Sequence, residues 1–227
     1  MLADVSLAPR FRWRFAPAPS PALLATVRHP VLARALAGRG IAGGEPARAF
    51  LARERPDDNP FRLTDMSAAV VRLRAAVRAG ERLAVYGDFD ADGVTATALL
   101  ATTLRALGAD VVTFLPHRTR DGYGVHVHAL EELARRGVRV VVTVDCGVRA
   151  VPEIAAAAML GLDVIVTDHH APAAELPAAL AVIDPKRPGD GYGDANLAGV
   201  GIAFKLAQAL LRVGAQTDRR PAPLRED

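Results

Sequence analysis

Apolar residues follow two rhythms along this chain, and the change comes near Glu81. Before it the spacing is helical. Residues 66–79 place Val70, Val71, Leu73 and Val77 on a predicted buried face, with Arg72, Arg74 and Arg78 toward water. Residues 29–53 predict two short helices broken across the glycines at 38–44, and 57–65 read as a loop. The first 30 or so residues, rich in Pro, Ala and Arg and carrying the single Trp13, predict an extended arm. Beyond Glu81, short β-branched runs at 83–88, 111–115, 139–145, 163–167 and 180–184 alternate with helical stretches near 94–107, 126–136, 149–160 and 202–212. VRVVVTVD and DVIVTD are apolar almost throughout, as expected of parallel strands covered on both faces. The pattern predicts an α/β fold: a doubly wound, mostly parallel five-stranded sheet flanked by helices at 81–213, after a helical N-terminal extension at 1–80 and before a polar tail at 214–227.

The richest stretch is LAVYGDFDADGVTATALL, residues 83–100, in which a strand gives way through a tight acidic turn to a helix. Asp88, Asp90 and Asp92 stand at alternate positions there, and carboxylates this close need a cation or protons between them. An EF-hand calcium loop is excluded, because its twelfth position would be Leu99 rather than a bidentate Glu and a strand precedes it. Other strands also run into an acid: Asp145, Asp168 followed by His169 and His170, and Asp184. Open parallel sheets bind ligands at the C-terminal ends of their strands, so these residues are expected to converge. Oxygen from Asp90, Asp92 and Asp145 with imidazole from His169 favours Mn²⁺ or Mg²⁺, and Asp145, alone at the tip of a central strand, is the natural bridge between two ions. Such a pair activates water and stabilises in-line attack on phosphorus.

Composition narrows the classes. With 227 residues and 51% apolar side chains there is material for one substantial core. One cysteine, Cys146, excludes an internal disulfide, and the lack of a Cys-rich cluster argues against a structural zinc site. No leader or long uncharged apolar run stands out, so the expectation is a cytoplasmic protein with no membrane partner. Net charge is only +3, which permits nucleic acid without demanding it. Phosphate-binding loops of the GxxxxGK type and dinucleotide fingerprints are absent, which argues against nucleotide-driven chemistry.

Taken in order, VYGDFDADGVTATALL, VTVDCGV, VIVTDHH and LAGVGIAFKLAQAL closely resemble the successive motifs of the DHH phosphoesterase superfamily. PHRTRDGYGV and NPFRLTDMSAAVVRLRAAV resemble its RecJ-type branch of single-stranded-DNA exonucleases, and the likeness covers about residues 36–212. That resemblance implies a two-metal phosphodiesterase, a 5′-to-3′ single-stranded-DNA exonuclease of DNA repair and recombination, with Asp90, Asp92, Asp145 and His169 as metal ligands. His170 would act beside the scissile phosphate, Asp168 would orient the histidine pair, and Asp88 would compensate for Tyr86, which stands where some members carry a ligand His. Single-stranded DNA is the implied partner, with a single-strand-binding protein or helicase beside it, and the chain is expected to be a monomer.

Around this centre, His117 and Arg118 follow the second strand and should reach the same edge, where an arginine fork can grip phosphate. Tyr123 is available for packing or for stacking on a base or sugar. Gly199 and Gly201 either let backbone amides approach a phosphate or allow tight helix packing, and Lys205 is a phosphate contact or a solvated charge. His126 and His128 read as exposed helix-start residues. Members of the superfamily supply a further Asp from a later strand and a second domain; after Leu211 this chain has no apolar strand, so it is expected to be the N-terminal part of a longer protein. Phosphodiesterases of oligonucleotides or cyclic dinucleotides, pyrophosphatases, and a replication-associated binding module of the same fold are the competing readings.

Overall fold

The structure is a computed structural model that describes residues 15, 17–52 and 59–215. It divides into two compact units at residues 58 and 59. In the first, α1 (Pro21–Val27), α2 (Pro30–Gly38) and α3 (Gly44–Ala52) enclose a small core of Leu23, Ala33, Leu36 and Ala47. The glycine break between α2 and α3 is as the sequence predicts, whereas part of the expected arm is helical. Ser20 caps α1 by accepting from the Leu23 amide at 3.1 Å, and Pro21 supplies a φ already suited to a first helical turn. Trp13, residues 57 and 58 of the expected loop, and the tail from 216 onward lie outside the described residues.

The second unit is the α/β domain. A 3₁₀ turn, Pro60–Arg62, leads into α4 (Met66–Ala79), then β1 (Arg82–Tyr86), α5 (Ala91–Ala106), β2 (Asp110–Phe114), α6 (Val127–Arg135), β3 (Val138–Val144), α7 (Val151–Met159), β4 (Asp163–Thr167), β5 (Ala181–Ile183) and α8 (Gly199–Ala215). All five strands are parallel, in the order β2-β1-β3-β4-β5. On one face, Leu73 of α4, Leu100 and Leu104 of α5 and Leu206 of α8 pack on Leu83, Val85, Val140 and Val142. On the other, Leu130 and Leu133 of α6 and Ile154 of α7 cover Ala84, Val141 and Val166. Double coverage is why β3 and β4 carry almost no polar residue.

α4 buries Met66, Ala69, Val70, Leu73 and Ala76, a stripe with helical spacing. Val71 lies off that stripe and is 67% exposed, contrary to the expectation that it is buried. Arg72 is not a solvated charge either: its Nε lies 2.5 Å from Asp163 Oδ2 and a terminal nitrogen 2.6 Å from Glu81 Oε2, tying α4 to the starts of β1 and β4. Among the described residues, no helix is long and apolar enough to cross a membrane.

The strand order dictates where a ligand can bind. From β1 the chain moves outward to β2, then returns to the other side of β1 as β3. Helices after β1 and β3 therefore diverge to opposite faces and leave a crevice at the C-terminal ends of these two neighbours.

Candidate metal centre and its surroundings

Both sides of that crevice are acidic. α5 begins three residues earlier than the apolar pattern suggests, so Asp90 is its N-cap, accepting from the Gly93 amide at 3.0 Å, and Asp92 falls in its first turn. Gly93 is required here, since a Cβ on it would lie 2.5 Å from the Asp88 amide nitrogen. From the β3 side comes Asp145, whose φ of 63° turns the chain sharply as its amide donates to the Thr167 carbonyl at 3.0 Å. At the tip of β3, Asp145 is only 1% exposed.

Two sets of possible ligand atoms meet at this residue. Asp88, Asp90 and Asp145 form one and Asp145, His169 and His170 the other, each with atoms within 4.8 Å of one another. His169 Nε2 lies 3.1 Å from Asp145 Oδ1 and 3.6 Å from Asp92 Oδ2. Asp88 Oδ1 and Asp145 Oδ1 are buried with no hydrogen-bond partner. Burial, then the charges of Asp92 and Asp90, push the Asp145 carboxyl up to about 8; burial also raises Asp88, only partly opposed by the Phe89 amide. Buried, mutually repelling oxygens that accept no hydrogen bond, set beside an imidazole, are what a divalent cation would satisfy.

Asp92 is placed differently from the other acids. Gly199 and Val200 at the start of α8 donate to its two oxygens, each at 2.7 Å, so its carboxylate is spent chiefly on a helix N-terminus. Gly199 thus uses its amide on a protein carboxylate, and a Cβ there would come 2.5 Å from Asp145 Oδ1. Gly199→Ala is therefore expected to displace Asp145 and weaken Mn²⁺ binding at least about tenfold, with a stability loss of about 1–3 kcal/mol. Calorimetric Mn²⁺ titration and thermal unfolding check both, and unchanged affinity would show that the crevice yields freely. Gly201 has no such role, its nearest contacts being ordinary ones to Leu197. Lys205 is 2% exposed, which corrects both the solvated and the phosphate-contact readings: Nζ lies 3.3 Å from Gln208 Oε1 and near the rings of Phe204 and Tyr192.

Asp168 is a buried organiser. It accepts from the Val148 amide at 2.9 Å and the His169 amide at 2.7 Å, and lies 2.8 Å from His170 Nδ1. Although burial pushes it up, the His170 ring and the surrounding amides hold Asp168 below the usual carboxylate range. His170 is correspondingly raised by its bond to Asp168, against the effect of burial. Tyr123 Oη lies 3.0 Å from the same His170 Nδ1 and donates to the Asp145 carbonyl at 3.4 Å. Asp184 ends β5 as expected but joins neither ligand set among the described residues. It accepts from the Lys186 amide at 2.7 Å, and burial pushes it up to about 6.

Arg118 stacks on Phe89 at 4.2 Å, beside the acidic turn. His117 is engaged within its own loop, its amide donating to Asp121 and its Nδ1 lying 3.2 Å from the Thr119 hydroxyl. His126 and His128 stack on each other at the start of α6. Two residues outside the sequence-derived site matter here. Tyr86 is fully buried, and its hydroxyl donates to the Gly124 carbonyl at 3.1 Å and accepts from the His126 amide at 3.2 Å, which fixes the loop carrying Tyr123. It is a support for that loop rather than a weak ligand. Arg149 Nε donates to the Ala171 carbonyl at 2.6 Å; its place just beyond β3, on the ligand-binding edge, was the available signal.

The sequence pattern of the DHH family, N-terminal domain, matches residues 82–225. The single-stranded-DNA-specific exonuclease RecJ of Bacillus subtilis (strain 168) is 45% identical over 183 residues, 80% of this chain and 23% of that protein. The chain thus spans about a quarter of the length of that relative. Among solved structures, an exonuclease RecJ bound to manganese is 38% identical with a TM-score of 0.62, over 70% of this chain and 40% of the other. RecJ of Thermus thermophilus in complex with Mn²⁺ matches with a TM-score of 0.66 and 32% identity over 89% of this chain and 29% of the other; its Mg²⁺ complex matches with 0.54, 30% identity, 89% and 25%. The matched span takes in the whole parallel sheet, the acids at the β1 and β3 ends and the Asp168-His169-His170 triplet, and the chain belongs to the DHH family.

Proposed function

We propose that this chain carries the metal centre of a phosphodiesterase that degrades single-stranded DNA from the 5′ end, in DNA repair and recombination. The observation that carries the reading is the pair of ligand sets sharing Asp145. Asp88 and Asp90 would hold one divalent cation and His169 the other, with Asp145 common to both and Asp92 steadying the start of α8 beside them. The all-oxygen and mixed oxygen–imidazole sets suit Mn²⁺, with Mg²⁺ as the alternative. Bound there, the ions would supply an activated water and neutralise charge on the phosphate.

The chain's own residues do the rest. Asp168 takes the Nδ1 side of His170, so Nε2 is the atom that meets substrate, and the raised basicity lets it carry a proton to the departing oxygen. Arg118, propped on Phe89, offers its fork to a backbone phosphate. Residues 81–213 form the catalytic unit in this reading, acting in the cytoplasm as a monomer, with a single-strand-binding protein or helicase as neighbour.

Crystals soaked in Mn²⁺ and measured at the manganese absorption edge are expected to show two anomalous peaks flanking Asp145; no peak there would overturn the reading. Arg118→Ala is expected to weaken single-stranded-DNA binding severalfold and to lower the salt slope by about 0.7, the loss of one phosphate contact. Arg118→Lys should recover only part of the affinity. An unchanged slope in fluorescence titrations from low to high salt would leave Arg118 as a residue of the Phe89 stack alone.

A further inference from the structure

Three of the six histidines fall within residues 117–128, and none of them belongs to the ligand sets at the strand ends. Two of the three, His126 and His128, flank Val127, the first residue of α6. The extended backbone of His126 (φ −123°, ψ 131°) running into the helix turns both rings to one side, where they stack with centroids 5.6 Å apart. The His126 ring does not cap α6. Its Nε2 lies 3.3 Å from the Gly122 carbonyl, which can only accept, so Nε2 carries the proton and Nδ1 keeps a free lone pair. A backbone carbonyl that fixes the far nitrogen is the usual support of a metal-ligating imidazole. His128 Nε2 in turn lies 3.8 Å from Asp121 Oδ1. Two donors on one tetrahedral zinc stand roughly 3.3 Å apart, given bond lengths of about 2.0 Å.

We propose that Asp121, His126 and His128 form a second metal site, separate from the strand-end centre and suited to Zn²⁺ rather than Mn²⁺. Two imidazoles and one carboxylate make a nitrogen-rich set, which zinc accepts readily and manganese, the weakest binder of the first-row divalent series, does not. The carboxylate stays ionised, because Arg120 and the His117 amide hold Asp121 well below the usual carboxylate range. Arg120 takes one lone pair of Oδ1, and its side chain, 75% exposed, swings clear at little cost when a cation arrives. The three donors are not yet gathered as the strand-end sets are. His128, 60% exposed, is the arm that closes. Asp121 and His126 are held in place, the first by the His117 amide and the second by the bond from its own amide to the Tyr86 hydroxyl. With three protein donors, water completes the tetrahedron. Because Tyr86 already pins this loop, the ion is an added brace and not a condition of folding.

The test is calorimetric titration of Asp145→Asn, in which the strand-end centre is lost, with Zn²⁺ and with Mn²⁺. Zn²⁺ is expected to bind stoichiometrically, and Mn²⁺ at least about a hundredfold more weakly. Adding His126→Gln or His128→Gln should weaken Zn²⁺ binding at least about a hundredfold, since a ligand is lost and loss of a mere supporting partner already costs about 10–100-fold. His128 is exposed, and the Tyr86 bond is to the His126 backbone and not its ring, so both variants keep the loop. In the otherwise unaltered chain the same two substitutions should leave Mn²⁺ affinity within about twofold, because neither residue belongs to a strand-end set. Absence of Zn²⁺ binding by Asp145→Asn, or Zn²⁺ binding that both histidine substitutions leave unchanged, would overturn the site. A loss of Mn²⁺ binding in the histidine variants would overturn its separateness from the strand-end centre.

Discussion

Asp145→Asn is expected to abolish Mn²⁺ binding and to lower phosphodiesterase turnover by on the order of 10³-fold or more, while the folded chain without metal becomes more stable. The two effects have one cause. Asp145 is the sole member common to both ligand sets, so losing its charge costs each ion a carboxylate and removes the bridge between them. In the metal-free chain that same charge is buried beside Asp90 and Asp92 with only the His169 imidazole close to it, and a neutral amide of equal size relieves the repulsion. Isothermal titration with Mn²⁺, cleavage of a 5′-labelled single strand by the protein, and thermal unfolding in EDTA separate the two. Near-normal cleavage, or a metal affinity equal to that of the unaltered chain, would take Asp145 out of the bridging position.

Without divalent cations, the chain is expected to lose stability as pH rises from about 4 to about 8, by up to about 1.4 kcal/mol per pH unit for each proton that folding binds more tightly. Burial and the neighbouring acids raise the folded value of Asp145 to about 8, above the unfolded carboxylate value of about 4. The folded state therefore holds this proton more tightly than the unfolded state. Its contribution is complete below the unfolded value and is lost as pH rises through the folded one. Asp184, pushed up to about 6, adds to the loss between about 4 and 6. Asp168, held low, acts in the opposite sense and only as pH falls below the ordinary carboxylate range. Mn²⁺ competes for the seat of the Asp145 proton, so it should raise the melting temperature much more at pH 8 than at pH 5. Unfolding curves over that range, with and without Mn²⁺, check the sign; a flat metal-free profile would mean that water reaches the carboxylate and relieves it.

The sheet was readable from the chain because strands buried on both faces leave an unmistakable run of branched apolar residues, and VRVVVTVD ends one residue past β3. Asp88, Asp145, Asp168 and Asp184 were readable for the same reason, each being the first charged group after such a run. What escaped lies where one residue serves two elements. α5 and α8 both begin three residues before the apolar rhythm does, because Gly93, Gly199 and Gly201 look like turn formers. Gly93 and Gly199 are nonetheless helical, at the places where Asp88 and Asp145 press against the backbone. Lys205 misled by its charge, since helix spacing alone cannot reveal that neighbouring rings and Gln208 cover an ammonium group. Tyr86 misled by its position at the end of β1, where only the fold of residues 124–126 shows what its hydroxyl is for.

The bonds from Gly199 and Val200 to Asp92 join groups 107 and 108 residues apart in the chain. On a ribosome, which releases the chain from its N-terminus, every acid and imidazole of the two ligand sets emerges before the helix start that clamps Asp92. A nascent chain that has reached β5 but not α8 thus holds its ligands around an unclamped acidic turn, next to which the α8 side of the sheet core is still bare. If the two ligand sets hold metal as proposed, stalled chains ending before residue 199 are expected to bind Mn²⁺ more weakly than those that include the helix.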